Sequence, residues 1–440
     1  MKTHIIDALR PERPDLDPDW EAETVRSILE DRAGVTTTEH SGSRRLMRVA
    51  LVAAAVVAII GAAVVARNSL PADVVRPAAP KQEKIQNIDP AKATKLKLGD
   101  TLDVVAELPQ TFNGDQVLFS AFAEDNVLVG SAAPVDNGVS VQQAHPVMYD
   151  LGTKKITLLD DRDRPEPTQV VDVSGNEDTV VWTELVGTNI DTSNFTIHSY
   201  DRRTKQVTTL GTFDDPRGAI VYGRDLAIAG DTAYFSTPAY PAKEGQEAVY
   251  AVPVDGSKPA SVIAKPGQDV RISGNTLTYA VRNPKDKNAY PTYFTYDLRT
   301  EVTTPAPVST HANDSGFCGA EFTKAWETWC EGVVDDAVRS EPGLLTIKEA
   351  SGRTTAFAPF PASPNAPHNV MTLGPWTAIT VTTTTGQNRE YLVDLDTKEV
   401  KVFPGNSSFA ALSPDRSTAL ITSYASKGPG PERIVRIPGK

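Results

Sequence analysis

The phrase MYDLGTKKITLL at residues 148–159 returns as SYDRRTKQVTTL at 199–210, as TYDLRTEVTT at 295–304 and as LVDLDTKEVKVF at 392–403. Aligned on Asp-x-x-Thr, the threonines are Thr153, Thr204, Thr300 and Thr397, separated by 51, 96 and 97 residues. The two longer intervals are about double the first, and at their midpoints stand VYAVPVDGSKPASVIAKP (249–266) and LLTIKEASGRTTAFAPF (344–360), each again an apolar run, a Gly/Ser turn and a second run. Six units follow, with a period of ~49 residues, the range in which repeats build solenoids and ring-shaped arrays.

Each phrase reads as a β-hairpin, because Tyr, Val, Ile, Thr and Leu favour the pleated strand while Asp, Gly, Ser and Lys supply the reversal. A hairpin cannot bury its own apolar face. Ahead of the phrases lie further strand pairs, such as VVDVSGNEDTVVWTE (170–184), AIAGDTAYFST (227–237) and RISGNTLTYAV (271–281). Four strands per unit at this period predict propeller blades. The carboxyl-terminal stretch FAALSPDRSTALITSYASKGPGPERIVRIPGK supplies only three strands, and DTLDVVAELP (100–109) is a lone strand ahead of the first unit. If that strand completes the last blade, the fold is an all-β, seven-bladed β-propeller occupying 96–440 and closed by an N-terminal strand, with no free edge. A pair of β-sandwich domains is the competing architecture.

The stretch SFAALSPDRSTALITS (408–423) resembles the strand–turn–strand of the WD40-like, TolB-type propeller repeat, in which Ser-Pro-Asp turns the chain between two apolar strands. Arg416 replaces the glycine usual after the Asp, and the other units lack the motif, so the resemblance implies a fold and carries no functional residue. The order of tail, apolar segment and propeller also resembles that of uncharacterised actinobacterial single-pass membrane proteins.

The apolar segment is VALVAAAVVAIIGAAVVA, residues 49–66, which carries no charge and as a helix would span ~27 Å, close to the hydrocarbon core of a bilayer. Arg44, Arg45 and Arg48 precede it and Arg67 follows, which predicts a transmembrane helix over 45–66 with the amino terminus inside. A buried soluble helix and a cleaved signal peptide are the alternatives, the latter burdened by the 48 residues ahead of the segment. Residues 1–44 form a cytoplasmic tail in which LDPDWEAETVRSILEDRAG (16–34) predicts a short amphipathic helix capped by Asp17 and stopped by Gly34. Residues 67–95, with Pro71, Pro77, Pro80 and Pro90, read as an extended linker.

A net charge of −12 argues against a surface that tracks nucleic-acid phosphates. Cys318 and Cys330 lack the spacing of a zinc site, leaving a pair of buried thiols or a disulfide across a hairpin; an extracytoplasmic location favours the disulfide. No GxSxG, HExxH or phosphate-cradling glycine loop occurs, and His145, His198, His311 and His368 share no spacing, so neither an enzyme nor a cofactor is expected. Asp160, Asp161 and Asp163 lack the ligand alternation of a calcium loop, and no metal site is expected. Trp182, Trp326, Trp329 and Trp376 fall in predicted strands, as core residues do.

Reversals between the first and second strands of a unit, and between the third and fourth, are terse. Connections between second and third strands read as long: 131–145, 184–194, 237–247, 282–291 and 424–432. Loops longer than a turn requires are common carriers of function. They hold Tyr240, Lys243, Glu244, Asn283, Lys285, Lys287, Tyr290, Tyr424 and Lys427, a set suited to a glycan or an extended peptide. The expectation is a membrane-anchored extracytoplasmic propeller that binds a cell-envelope ligand, peptide or protein. The alternative is transmembrane signalling, with the 1–44 tail holding a cytosolic regulator such as a sigma factor.

Overall fold

A computed structural model describes residues 86–87, 92–99, 101–134, 143–162, 168–189, 192–215, 226–236, 248–281, 292–305, 316–322, 326–332, 344–349, 354–358, 369–373, 376–382, 388–394, 396–397, 399–403, 406–425 and 428–437. The chain divides into two units, Met1–Gln82 and Glu83–Lys440, and every described residue belongs to the second. The tail helix expected within 16–34 and the apolar segment 49–66 lie outside the described residues. Among the described residues no helix is long and apolar enough to cross a membrane.

The second unit is an all-β propeller, its described strands forming seven sheets. The first sheet runs Thr111–Phe112, Asp115–Glu124, Val127–Ala133, His145–Asp150 and Lys155–Leu158, side by side in chain order. The second runs Thr168–Gly175, Thr179–Asn189, Thr192–Asp201 and Val207–Asp215. The third has Ala227–Ala229, Thr232–Ser236, Val249–Pro253 and Ser261–Ala264; the fourth has Gln268–Ser273, Thr276–Val281, Thr292–Asp297 and Val302–Pro305. In the fifth, Gly316–Phe322, Trp326–Gly332, Leu344–Glu349 and Thr354–Ala358 repeat the pattern, as do Asn369–Leu373, Trp376–Thr382, Asn388–Asp394 and Val400–Val402 in the sixth. The seventh joins Asn406–Leu412, Thr418–Ala425 and Arg433–Arg436 from the carboxyl end to Val104–Glu107 from the other end of the unit, antiparallel, with Glu107 opposite Arg433.

The repeated phrase is explained by its turn. Asp150, Asp201, Asp297 and Asp394 each end the strand before the last of a sheet, and their Oδ1 atoms accept the backbone N–H of Thr153, Thr204, Thr300 and Thr397 at 2.7–2.8 Å. The next residue turns left-handed, with φ of 57° at Lys154, 60° at Lys205 and 59° at Glu301, which returns the chain antiparallel to itself. An aspartate three residues ahead of a threonine is therefore a local instruction, read without help from tertiary structure.

Cores lie between sheets, because each sheet is apolar on both faces. Val127 and Val129 of the first sheet pack with Val173, Val180 and Trp182 of the second. Val181 and Ile197 then pack with Ala233, Phe235 and Val252 of the third. Leu392 and Trp376 of the sixth share a cluster with Phe409 and Ile421 of the seventh. Ala410, Leu420 and Ile434 of the seventh pack with Val117, Phe119 and Leu128 of the first, which joins the last sheet to the first.

The stretch read as linker contains strands. Gln86–Asn87 pairs in parallel with the outer strand of the fifth sheet, and Thr94–Lys95 with that of the sixth, before the chain enters the seventh at Val104. Leu96 and Leu102, 2% and 1% exposed, bury themselves in the core shared by the sixth and seventh sheets. Residues 86–87, 94–95 and 104–107 thus act as a strap, pairing in turn with three successive sheets. One of the connections expected to be long is tight: the second sheet continues to Asn189, which pairs with Thr192. In the seventh, Gly428–Pro429 pairs back with Tyr424 and Ala425 before the chain reaches Arg433.

Candidate functional site

The second sheet carries a buried polar cluster. Trp182 and Glu184 stand two apart on the strand Thr179–Asn189 and so project from the same face. The Trp182 indole N–H donates to Glu184 Oε1 at 2.8 Å. Directly across the ladder from Trp182 is His198, its ring stacked on the indole at 5.3 Å with 26° between planes. His198 Nε2 lies 3.3 Å from Glu184 Oε2, and Nδ1 lies 3.2 Å from Thr209 Oγ1 on the outer strand. Exposure is 0% at Trp182, 7% at Glu184 and 4% at His198.

Burial fixes the hydrogen-bond roles. An ionised Glu184 can only accept, so Nε2 carries the imidazole proton toward it and Nδ1 accepts from the Thr209 hydroxyl. Hydroxyl, imidazole and carboxylate then form one chain along which a proton can pass. Thr209 stands at an exposed position on the sheet's outer strand, where a substrate would have no enclosure. The chain satisfies the polar groups buried within the sheet.

The cluster reaches the surface through the first sheet. Asp160, 3% exposed, follows the outer strand Lys155–Leu158, and its two carboxylate oxygens accept from Arg162 Nε at 2.8 and 2.9 Å. The hydrogen bond to Asp160 raises the Arg162 pKa, and the nearby Glu184 charge raises it further against the opposing effect of burial. His145 Nδ1 lies 3.2 Å from the Asp160 carbonyl. Arg162, with half of its side chain exposed, is the outward-facing cation of an otherwise buried group. His145 and Arg162 therefore meet at Asp160, a proximity that spacing does not reveal.

Of the residues expected on the long connections, Tyr240, Lys243, Glu244, Asn283, Lys285, Lys287, Tyr290 and Lys427 lie outside the described residues. Tyr424 falls within a strand rather than a loop, its backbone paired with Asn406 and Pro429. In the fifth sheet Cys330 pairs by register with Gly319, and the register shifts between Phe317 and Gly319, beside Cys318. Asp160 is occupied by Arg162, Asp163 lies outside the described residues, and among the described residues no group of three His, Cys, Asp or Glu is placed to hold a metal ion. Trp182 and Trp376 are core residues, 0% and 8% exposed.

No protein-family model matches the chain, and no curated protein does. Solved structures do. A prolyl endopeptidase superposes with a TM-score of 0.51 at 10% identity over 75% of this chain and 51% of its own. The β-propeller domain of the trilobed protease from Pyrococcus furiosus gives 0.47 at 8% identity, covering 75% and 97%, and TolB from Acinetobacter baumannii gives 0.37 at 12%, covering 72% and 81%. The chain spans about half the length of the prolyl endopeptidase, and at this identity the likeness is one of fold alone.

Proposed function

We propose that this chain is a membrane-anchored, extracytoplasmic, non-enzymatic propeller that binds a cell-envelope ligand, peptide or protein through the face bearing its long connections. The observation that carries the reading is the inequality of the two ends of the sheets. At one end the chain reverses within 125–126, 151–154, 176–178, 202–206, 230–231, 274–275 and 298–301, and the polar groups there bind each other. Asn176, for example, reaches across to the Gly230 carbonyl at 2.9 Å. At the other end lie 134–144, 237–248, 282–291, 306–315, 333–343 and 359–368, lengths that no reversal requires. Arg162 stands at this second end, paired to Asp160 with half of its side chain exposed.

Two structural readings accompany the proposal. The seven sheets act as seven blades of one ring, supported by the pairing of Val104–Glu107 with Arg433–Arg436 and by the core shared between first and seventh sheets. Cys318 and Cys330 form a disulfide, supported by the register of their hairpin; peptide mapping without reductant is expected to recover them as one cross-linked species.

The test uses the full chain in detergent micelles against arrays of cell-wall fragments, glycans and peptides. Binding that falls at least about tenfold when Tyr240, Lys243, Lys285 and Tyr290 are replaced by alanine supports the reading; binding that survives those changes, or none at all, overturns it. The second reading, signalling to a cytosolic regulator held by 1–44, draws support from the strap, whose short strands near the start of the second unit pair with three of its sheets. Ligand-dependent capture of a sigma factor by the tail would favour it over the simple binding module.

A further inference from the structure

Glu432 sits where three segments meet. Its backbone carbonyl accepts the N–H of Leu108, just past the closing strand Val104–Glu107, at 3.0 Å. Its carboxylate Oε2 accepts the N–H of Phe119, in the first sheet, also at 3.0 Å. Its own residue leads into the strand Arg433–Arg436 of the seventh sheet. One residue therefore holds the closing strand with its backbone and the first sheet with its side chain.

The Phe119 amide is available because the strand bulges there: the register of Asp115–Glu124 against Val127–Ala133 shifts between Phe119 and Ala121. The preceding junction repeats the device. Glu390 of the sixth sheet accepts the Phe409 N–H at 3.3 Å, at a register shift between Phe409 and Ala411, and its backbone carbonyl accepts Phe403 N–H at 3.0 Å. A glutamate that caps the bulge of the next sheet is thus a recurring solution at two consecutive seams. The closing seam differs in that Glu432, 4% exposed, has its second oxygen Oε1 without a hydrogen-bond partner among the described residues.

We infer that Glu432 is a protonation-controlled latch on closure of the ring, holding the first and seventh sheets together when neutral and loosening them when charged. Neutral, the side chain leaves an oxygen that bonds Phe119 N–H and buries no charge. Ionised, it places a charge in the seam with one donor to meet it, and the remaining oxygen has none. The charged residues of the surrounding elements do not compensate. On its own strand Arg433 is taken by Glu107 of the closing strand at 3.2 Å, and Arg436 lies 3.9 Å from Asp103. The partner strand contributes Asp115 and Glu124, which are acids, and Glu124 is bound to Arg202. The strands Asn406–Leu412 and Thr418–Ala425 carry no charged residue.

The sign follows from burial, which pushes the Glu432 pKa up to about 7 against the lowering effect of the Phe119 amide. A folded pKa above the unfolded value means that the closed seam takes up a proton; its stabilisation is complete below the ordinary glutamate range and is lost as pH rises through about 7. The test is hydrogen exchange of the full chain at pH 6 and pH 8, corrected for intrinsic rates. Peptides containing Leu108 and Phe119 are expected to lose about tenfold in protection relative to peptides spanning the seam of the second and third sheets, at Leu226. Glu432→Gln keeps an acceptor for Phe119 and cannot ionise, so its closing seam is expected to show no such difference, while Glu390→Gln leaves it in place. Equal pH dependence at both seams of the unsubstituted chain overturns the inference even if Glu432→Gln fails to fold, and so does a Glu432→Gln protein that retains the tenfold loss.

Discussion

The Trp182 indole N–H donates to Glu184 at 2.8 Å from two residues earlier on the same buried strand, and the ring that makes this bond is also the ring on which His198 stacks. Trp182→Phe keeps an aromatic surface under His198 and removes the donor. Leaving a buried carboxylate one bond short is expected to cost roughly 1–3 kcal/mol in denaturant-induced unfolding. In a Glu184→Gln background the same change is expected to cost less, by about 1 kcal/mol, because the group it starves is no longer charged. Equal costs in the two backgrounds would mean that Trp182, Glu184 and His198 do not act together.

Arg416 occupies the position at which the Ser-Pro-Asp turn ordinarily has glycine, and it adopts φ of 58°. The turn itself is complete: Ser413 Oγ donates to Asp415 at 2.7 Å, and Asp415 accepts Ser417 N–H at 2.8 Å. Arginine is retained in a left-handed conformation because its guanidinium reaches the Thr372 carbonyl of the sixth sheet at 2.6 Å. Arg416→Ala keeps the unfavourable backbone and loses the bond between sheets, with an expected cost of about 1–2 kcal/mol; Arg416→Gly loses the bond and relieves the backbone, recovering about 1 kcal/mol of that. Melting temperatures of the two variants are expected in the order Gly above Ala.

These two sites mark what can be read from sequence. The Asp-x-x-Thr turn is legible because every bond that defines it closes within a few residues, as in Asp297 to Thr300. The closing strand is legible by arithmetic, since hairpins from the carboxyl end leave one strand missing and 100–109 is the one strand left over. Glu432 is not legible, because the amide it caps is 313 residues away and the bulge that frees that amide has no composition of its own. Glu184 hides in the same way, as one polar residue at the end of VVWTE whose partner His198 comes from the neighbouring strand. The strap escapes because two-residue parallel strands are too short to alternate, and Pro-rich surroundings make them look like spacer.

The repeated turn carries a pH dependence of its own. Thr153, Thr204 and Thr300 backbone N–H groups hold Asp150, Asp201 and Asp297 below the usual aspartate pKa. A depressed folded pKa contributes stability that is present above the unfolded value near 4 and is lost as pH falls through the folded one. Replacing the three aspartates by asparagine, which still accepts the N–H, is expected to flatten the acid limb of a melting-temperature profile below about pH 4 while leaving the limb above pH 6 unchanged. An unaltered acid limb would place the acid-labile groups elsewhere.

The strap bears on how the seventh sheet is held. Leu102 is 1% exposed and packs with the core of the sixth and seventh sheets just ahead of the closing strand, its backbone bridged to Leu98 and its carbonyl accepting the Gly99 N–H at 2.8 Å. Leu102→Ala is expected to cost about 2–5 kcal/mol, the range for a buried leucine whose site cannot collapse, and Leu96→Ala a similar amount. Both changes lie outside the carboxyl-terminal strands they support, so hydrogen exchange should show their effect at Arg433–Arg436 and Thr418–Ala425 rather than at the strap alone. If the variants lose protection only within 94–107, the strap is a passenger on a seventh sheet that holds without it. If protection falls across the seventh sheet and spreads to Phe119, the amino-terminal strand is a structural member of the closure, joined to the first sheet through Glu432.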